Sequence, residues 1–118
     1  MAYELKARNT KETDYETICE WWKFWRFSQW PRYSLPDNLS DGAMITHEGI
    51  DVCCGFIYRT SSSSLFWIEF IVSNPEVKDR ALRKEALRLL INGMKHLCKE
   101  MGAKVIFTSL KNQNLKKA

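Results

Sequence analysis

The fold of this chain is decided by the stretch that opens with Leu65-Phe66-Trp67-Ile68-Glu69-Phe70-Ile71-Val72 and ends at Gly102. Apolar side chains occupy both alternating faces of the opening segment, and Glu69 is its single charged residue. A strand of this kind is buried on both sides, which is typical of the middle of a mixed or parallel sheet. We therefore expect residues 65–72 to form the central strand of the domain.

A long amphipathic helix follows after a polar break. Its apolar residues recur at steps of three and four and so share one face; they are Leu82, Ala86, Leu90, Met94, Leu97 and Met101. We expect the helix to run from about Asp79 to Met101 and to end there because Gly102 can take a positive φ. Residues 104–108 show a second strand pattern. Strand, helix and strand in this order predict a βαβ unit with parallel strands, in which the loop entering the helix is a natural place for an anion or cofactor.

The first half of the chain predicts antiparallel strands and one helix. Residues 3–8 alternate weakly, as in a short strand near a sheet edge. A helix is expected to begin near Thr13, which has a glutamate three residues later in the spacing of a capping box. Residues 43–46 and 50–58 flank a turn in which Gly49 supplies the positive φ of a hairpin. With the central strand, they predict three antiparallel strands before the long helix.

Length and charge restrict the class of protein. The 118 residues suit one domain with its own core. No apolar run approaches the ~20 residues that span a bilayer, and the polar N-terminus is not a signal peptide, so we expect a cytoplasmic protein without a membrane segment. The net charge of +4 suits an anionic ligand and does not require a nucleic-acid partner.

The cysteines show no Cys-x-x-Cys spacing; they are Cys19, Cys53, Cys54 and Cys98. Cys53 and Cys54 are adjacent in a predicted strand and point to opposite faces, so they cannot easily share a tetrahedral metal site. We interpret the cysteines as buried free thiols in a reducing compartment, in preference to metal ligands or disulfides. No nucleophile elbow, Walker loop or zinc spacing occurs, and no metal site is predicted.

The run from Trp21 to Trp30 holds more aromatic residues than one helix can bury. A helix has one core stripe, so Trp21, Phe24 and Trp25 cannot all face inward. The surplus surface must meet the following loop at residues 31–36, a second subunit or a ligand. Stacking on nucleobases is a weaker alternative.

The order of the predicted elements resembles that of the GCN5-related N-acetyltransferases. The residues that carry the resemblance are Phe66-Trp67-Ile68-Glu69-Phe70-Ile71-Val72-Ser73-Asn74-Pro75, the helix end at Gly102-Ala103, and Val105-Ile106-Phe107-Thr108 with Asn112 and Asn114-Leu115. The chain looks most similar to the small acetyltransferase-like proteins of bacteriophage genomes. The resemblance implies an α/β fold with a mixed sheet, in which antiparallel strands precede a parallel βαβ unit. It also implies that residues 1–118 form one domain that stops after the start of the last helix, so that the C-terminal part of the fold is missing.

The resemblance further implies where acetyl-CoA would bind. The backbone of the central strand beyond its middle would pair with the pantetheine arm, and the pyrophosphate would lie on amides at the start of the long helix, where anions are favoured. The residues implied in cofactor binding are Ile71, Val72, Ser73, Arg80, Ala81, Leu82, Arg83, Lys84, Glu85 and Asn112. The family signature has Arg or Gln, two residues, Gly, one residue, and Gly or Ala. With Arg80 in its first place, Arg83 and Glu85 stand where glycines belong.

Cations crowd the first turns of the same helix; they are Lys78, Arg80, Arg83 and Lys84. Each opposes the helix dipole by roughly 0.3–1 kcal/mol, which favours an anion bound among them. A solvated basic face, offset by neighbouring carboxylates, explains the same residues equally well.

Glu69 is the candidate catalytic residue. Alternation puts it on the strand face of Trp67 and Ile71, where an ionised carboxylate without a partner is costly. The resemblance implies a base on this strand, close to the acyl carbonyl, that takes a proton from the acceptor amine. The alternative is a structural ion pair with Arg59 or Lys104.

Taken with the resemblance, these features imply an acetyl-CoA-dependent transfer of an acetyl group to an amine. The alternative is a catalytically inactive protein of the same fold that acts as a binding module. Surplus aromatic surface at Trp21, Trp25 and Trp30, with a sheet edge left open after Thr108, also predicts a homodimer. The sequence leaves the acceptor open between a small-molecule amine, a protein lysine and a protein N-terminus.

Overall fold

The computed structural model describes residues 3–35, 42–59 and 64–108, which form five strands and two helices. The strands are β1 (Leu5–Asn9), β2 (Gly42–His47), β3 (Ile50–Arg59), β4 (Leu65–Ser73) and β5 (Val105–Thr108), and the helices are α1 (Tyr15–Phe24) and α2 (Arg80–Glu100). Short 3-10 turns at Glu12–Asp14 and Arg32–Ser34 precede and follow α1. The predicted helix start around Asn112 lies outside the described residues.

The strands form one mixed sheet in chain order, β1-β2-β3-β4-β5. The first three pairings are antiparallel, and β4 pairs with β5 in parallel. The α/β class, the position of β1 at a sheet edge and the parallel βαβ unit are therefore confirmed. The hairpin between β2 and β3 turns at Glu48 and Gly49, whose φ angles of 50° and 80° are both positive, as in a type I′ turn.

Helix α2 packs along one face of the sheet. Its limits match the prediction, and Gly102 ends it with a φ of 97°. The prediction of its buried stripe is wrong at the C-terminal end, because Leu97 and Met101 are 48% and 43% exposed. Successive steps of four residues carry the stripe from Met94 to Cys98, which is fully buried.

The two helices cover opposite faces of the sheet. Cys53 packs in the cluster that includes α2, whereas Cys54 packs in the cluster that includes α1. Adjacent residues of a strand point to opposite faces, so this pair marks the two sides of the sheet. The expectation for these two cysteines is confirmed.

The aromatic run is packed more fully than its composition predicted. Ile18, Trp21 and Trp22 face the sheet together, as residues three and four apart do on a helix, and Trp21 is only 4% exposed. The expectation that Trp21 is surplus surface is therefore wrong, whereas Phe24 is 57% exposed. Leu35, from the loop after α1, is buried in the same cluster, as the loop alternative predicted.

The start of the first helix also differs from the prediction in one respect. The backbone N–H of Lys11 donates to Asp14 Oδ2 at 2.9 Å, and the amide of Asp14 donates to the Lys11 carbonyl at 2.9 Å. The capping carboxylate is therefore that of Asp14, and the predicted capping box of Thr13 and Glu16 is not formed. None of the helices in the described part of the chain is long and apolar enough to cross a membrane.

Candidate functional site

A β-bulge interrupts the central strand at Phe70. The register between β3 and β4 shifts so that Phe70 and Ile71 both lie opposite Gly55, and Phe70 takes a φ of 57°. Side chains from α2 and β4 pack closely over this point of β3, because a Cβ on Gly55 would lie 2.8 Å from Met94 Cε and 3.1 Å from Ile71 Cγ1. An extra residue in one strand bends it and reverses the faces of the residues beyond it.

The bulge corrects the predicted faces of β4. Ile71 packs in the cluster that includes α2, whereas Phe70 and Val72 pack on the α1 side. Glu69 therefore shares its face with Trp67 and Phe70, not with Ile71.

Within the described residues, the two parallel strands pair from Leu65 with Val105 to Ile68 with Thr108. The predicted cofactor residues Ile71, Val72 and Ser73 lie further along β4, beyond its pairing with the described part of β5. This is the edge at which the resemblance expects the pantetheine arm.

The carbonyl of Ser73 points to that edge and accepts a hydrogen bond from the α1 side. The amide of Asn74 donates to Val52 on β3 at 2.8 Å, so the backbone groups of the preceding residue face away from β3. Trp25 Nε1 donates to the Ser73 carbonyl oxygen at 2.8 Å. An indole N–H of the chain itself thus occupies an acceptor expected for the cofactor.

The loop between β4 and α2 is fixed by one side chain. Asn74 donates from Nδ2 to the Asp51 carbonyl at 2.8 Å and accepts at Oδ1 from the Glu76 amide at 2.9 Å. The first contact holds the loop to β3, and the second forms a tight turn at the residue before Pro75. The Asn-Pro pair is a turn signal in the sequence, but the bond from Asn74 to Asp51 joins distant segments and has no local signal.

A carboxylate of the chain occupies the N-terminus of α2. Asp79 Oδ1 accepts from the Leu82 amide at 3.2 Å, and Oδ2 accepts from the Tyr3 hydroxyl at 3.0 Å. The bond from the Leu82 amide, followed by that from Tyr3, lowers the pKa of Asp79. The amides expected to hold a pyrophosphate therefore already hold an anion.

The side chains predicted to bind the cofactor at α2 are unevenly exposed. Leu82 is buried in the core, so that only its backbone could contact a ligand. Arg83 is half-buried, and the remainder are exposed: Arg80, Ala81, Lys84 and Glu85. Asn112 lies outside the described residues. The basic side chains are thus available at the surface, whereas the amide of Leu82 is engaged by Asp79.

Glu69 lines a cavity of about 300 Å³ on the α1 side of the sheet. We call it the aromatic cavity; its walls are Trp30, Ser34, Tyr58, Trp67, Glu69 and Phe70. Glu69 is half-buried there. The sequence pointed to Glu69 and marked Trp30 as surplus aromatic surface, but it did not bring Tyr58 to the same place, because the assembly of these walls depends on the bulge and on the loop after α1.

Tyr58 is the titratable neighbour of Glu69 in this cavity. Burial, and then the carboxylate of Glu69, raise the pKa of Tyr58 to about 12, so its hydroxyl stays protonated. That hydroxyl donates to the Ser34 carbonyl at 2.6 Å. Among the described residues, no group of three His, Cys, Asp or Glu side chains could hold a metal ion.

Solved acetyltransferase structures share this fold. N-acetylglutamate synthase from Neisseria gonorrhoeae, complexed with coenzyme A and N-acetyl-glutamate, matches with a TM-score of 0.76 and 13% identity over 99% of this chain and 28% of that chain. A Mycobacterium tuberculosis protein in complex with CoA matches with a TM-score of 0.73 and 12% identity over 95% of this chain and 68% of that chain.

The ribosomal-protein-S18-alanine N-acetyltransferase from Escherichia coli matches with a TM-score of 0.71 and 11% identity over 97% of this chain and 72% of that chain. Identities at this level show the fold alone. The chain spans 28% of the length of the Neisseria gonorrhoeae protein. No protein-family model and no curated protein sequence matches the chain.

Proposed function

The chain has the fold of the GCN5-related N-acetyltransferases, and from that fold we propose that it transfers an acetyl group from acetyl-CoA to an amine acceptor. One observation carries the proposal. Beyond the bulge at Phe70, the backbone of Ser73 faces away from β3, and this stretch of β4 leads directly to the N-terminus of α2. A pantetheine arm can pair with this stretch of β4, and a pyrophosphate can lie on the N-terminus of α2.

The residues present fit acetyl-CoA at both positions. The Ser73 carbonyl already accepts an N–H from Trp25, and a pantetheine amide offers the same kind of donor. The Leu82 amide of α2 already donates to the carboxylate of Asp79, and a pyrophosphate is also an anion. Binding would exchange these internal contacts for contacts with the cofactor, while the exposed Arg80 and Lys84 add positive charge beside the helix start.

Bound acetyl-CoA would supply a thioester: the acceptor nitrogen would form a bond to its carbonyl carbon, the carbon–sulfur bond would break, and coenzyme A would leave as a thiolate that takes up the second proton of that nitrogen. Glu69 is proposed to accept the proton that the acceptor ammonium must lose before its nitrogen can attack. It lines the aromatic cavity beside the bulge, next to the edge of β4. Tyr58 keeps its proton at neutral pH, so it does not compete with Glu69 as a base.

Calorimetry with acetyl-CoA tests cofactor binding directly. We expect measurable heat with the wild-type protein and weaker binding for Arg80→Glu, because the substitution reverses a charge beside the proposed pyrophosphate position. Lys95→Glu is the matched control, since it makes the same charge change on an exposed position of α2, four turns further along. The absence of heat at millimolar acetyl-CoA would leave only the non-catalytic binding module.

We propose that the protein associates as a homodimer through the outer edge of β5. Among the described strands, β5 lies at the edge of the sheet, and its Val105 and Phe107 are 50% and 52% exposed. An edge strand with apolar side chains favours pairing with another chain. Light scattering should give the mass of two chains for the wild type and of one chain for Val105→Lys. The mass of a single chain for the wild type at all concentrations would remove this proposal.

We also propose a reducing, cytoplasmic location. The four cysteines are free in the structure, and burial raises the pKa of Cys53 to about 12. Such thiols are poor nucleophiles and serve as packing groups. Thiol titration of the denatured protein, purified without reductant, should give four thiols per chain, and a value of two or fewer would argue against this location.

A further inference from the structure

Helix α2 carries the whole net charge of the chain. The protein has 18 lysines and arginines and 14 aspartates and glutamates, of which α2 holds six and two. The remaining 12 basic and 12 acidic residues cancel, so the net charge of +4 lies on this one helix. The total charge is small, but its distribution is strongly uneven.

Five of the six cations of α2 form a line along its surface. Steps of four and seven residues correspond to about one and two helical turns, so residues at these steps lie on one side of a helix. The line, which we call the basic ridge, consists of exposed residues only: Arg80, Lys84, Arg88, Lys95 and Lys99. At a rise of 1.5 Å per residue it extends for about 28 Å. Its first two members lie beside the proposed pyrophosphate position, and the other three continue to the far end of the helix.

No carboxylate of the described residues lies within ion-pair distance of the basic ridge. The ion pairs and side-chain hydrogen bonds in the described part of the chain involve none of its five members. Glu100, which is also on α2, contacts His96 at 3.0 Å instead. Like charges one turn apart destabilise a helix, so the ridge lowers the stability of the free protein. A bound polyanion would remove that repulsion.

The composition of the ridge distinguishes between polyanions. The cores of protein–protein interfaces are enriched in aromatic residues and depleted of lysine, whereas the ridge holds only arginine and lysine. A helix that lies on a membrane inserts its apolar face, but the apolar stripe of α2 is buried against the sheet. The exposed Leu89 and Leu97 lie one or two residues from ridge positions and therefore on another side of the helix. Nucleic-acid phosphates are contacted by arginine and lysine without apolar groups, so the ridge suits a nucleic-acid backbone best.

The same helix distinguishes between single and double strands. Proteins that hold single strands stack the bases on aromatic side chains, and α2 contains no Phe, Tyr or Trp. A DNA duplex presents one phosphate charge for about every 1.7 Å of its axis. Its major groove is about 12 Å wide and matches the diameter of an α-helix, about 10–12 Å, whereas the major groove of an RNA duplex is narrow and deep. Duplex DNA is therefore the ligand that fits the ridge.

We propose that the basic ridge binds the phosphate backbone of double-stranded DNA without regard to base sequence. Contacts from arginine and lysine to phosphates fix the position of a protein on the duplex and carry no sequence information. This inference goes beyond the proposed acetyl transfer and does not rest on it, because Arg88, Lys95 and Lys99 lie outside the proposed cofactor residues.

Fluorescence anisotropy with a short labelled DNA duplex of mixed sequence tests the proposal. We expect a dissociation constant of about 1–100 μM at physiological salt, as for other non-specific DNA binding. Three to five phosphate contacts predict a slope of about −3 to −4.5 for the logarithm of the association constant against that of the salt concentration, since each contributes about −0.9.

Two double variants with the same net charge separate the ridge from the total charge. Lys95→Glu with Lys99→Glu reverses two ridge positions and should weaken DNA binding at least about tenfold at about 50 mM salt. Lys6→Glu with Lys23→Glu is the matched control, because it makes the same charge change at exposed positions of β1 and α1. Its affinity should stay within about threefold of the wild type. Circular dichroism shows whether each variant is folded.

The outcomes decide both the ridge and its ligand. An equal loss in the two variants, or no binding by the wild type at about 50 mM salt, would overturn the ridge. Tighter binding to single-stranded DNA, to polyglutamate or to phosphatidylserine vesicles would overturn the assignment of duplex DNA. Calorimetry with acetyl-CoA should be unaffected by Lys95→Glu with Lys99→Glu. DNA binding by a protein that gives no heat with acetyl-CoA would refute the acetyl transfer and support the ridge.

Discussion

The hydrogen bond between Trp25 and Ser73 leads to a prediction in which stability and cofactor binding change in opposite directions. Trp25→Phe keeps an aromatic ring at the end of α1 but removes the N–H that donates to the Ser73 carbonyl at 2.8 Å. A net hydrogen bond contributes about 0.5–1.5 kcal/mol. Because Ser73 is half-buried and its carbonyl can be rehydrated, we expect a loss of about 1 kcal/mol in the free energy of unfolding.

The same substitution should strengthen cofactor binding. In the wild type, a pantetheine amide must displace the indole from the Ser73 carbonyl, whereas in Trp25→Phe that carbonyl is already free. Removing a competitor worth about 1 kcal/mol tightens the dissociation constant about fivefold. Urea unfolding measures the first effect and calorimetry with acetyl-CoA measures the second.

A control variant and an NMR measurement check this prediction further. Phe24→Leu alters the neighbouring ring, whose centroid lies 4.9 Å from that of Trp25, and retains the indole N–H, so its affinity for acetyl-CoA should stay near the wild-type value. In the wild-type protein, the NMR signal of the Trp25 indole proton should move on addition of cofactor. Weaker or unchanged binding by a folded Trp25→Phe would refute the reasoning that the indole and the cofactor compete for one carbonyl.

Three further substitutions test other parts of the structure. Glu69→Gln should reduce turnover at least 100-fold, a loss typical of removing a general base, and leave the dissociation constant of acetyl-CoA unchanged in calorimetry. Arg8→Met should cost about 2 kcal/mol in urea unfolding at pH 7 and much less at pH 3, because its guanidinium contacts the buried carboxylate of Asp14 at 2.9 Å and is itself partly exposed. Gly42→Ala should cost about 1–3 kcal/mol, because its Cβ would lie 2.6 Å from a buried aromatic ring of β3, whereas Gly93→Ala, with no atom within 4 Å of its Cβ, should stabilise α2 by about 0.5–1 kcal/mol.

The pH dependence of the second test follows from the direction of one pKa. Burial alone would raise the pKa of Asp14, but the hydrogen bonds from Arg8 and the Lys11 amide outweigh burial and lower it. A carboxyl with a lowered folded pKa contributes stability above its unfolded pKa of about 3.9 and loses that contribution as the pH falls through the folded value. An equal cost of Arg8→Met at both pH values would contradict this account. Equal turnover of Glu69→Gln and wild type would make Glu69 structural, and an unchanged unfolding midpoint for Gly42→Ala would refute the packing argument.

The βαβ unit and the hairpin could be predicted because their signals are local. The apolar steps of α2, the glycine at its end, the turn glycine of the hairpin and the apolar run of β4 are visible within each segment. The burial of Trp21 was missed, although residues three and four apart on α1 share a face. The number of aromatic residues does not determine which face of α1 meets the sheet.

The bulge at Phe70 could not be predicted from its own segment, because it depends on the pairing with Gly55 across the sheet. Without it, every residue of β4 after Glu69 is assigned to the wrong face. Asp79 did carry a local signal, since an aspartate directly before a helical pattern favours an N-cap, and an N-cap carboxylate takes the same amides as a phosphate. The bond from Trp25 to Ser73 joins residues far apart in the sequence and had no local signal at all.

The strand order also has a consequence for how the protein is made. Because each of the first four strands pairs with its neighbour in the chain, this part of the sheet can form during synthesis as soon as β4 has left the ribosome. The parallel pairing with β5 must wait for the whole of α2, since a crossover helix lies between the two strands. The edge of β4 that pairs with β5 is therefore covered only after α2 has been made, and a nascent chain that stalls within α2 would expose the edge of the central strand to other unfolded chains.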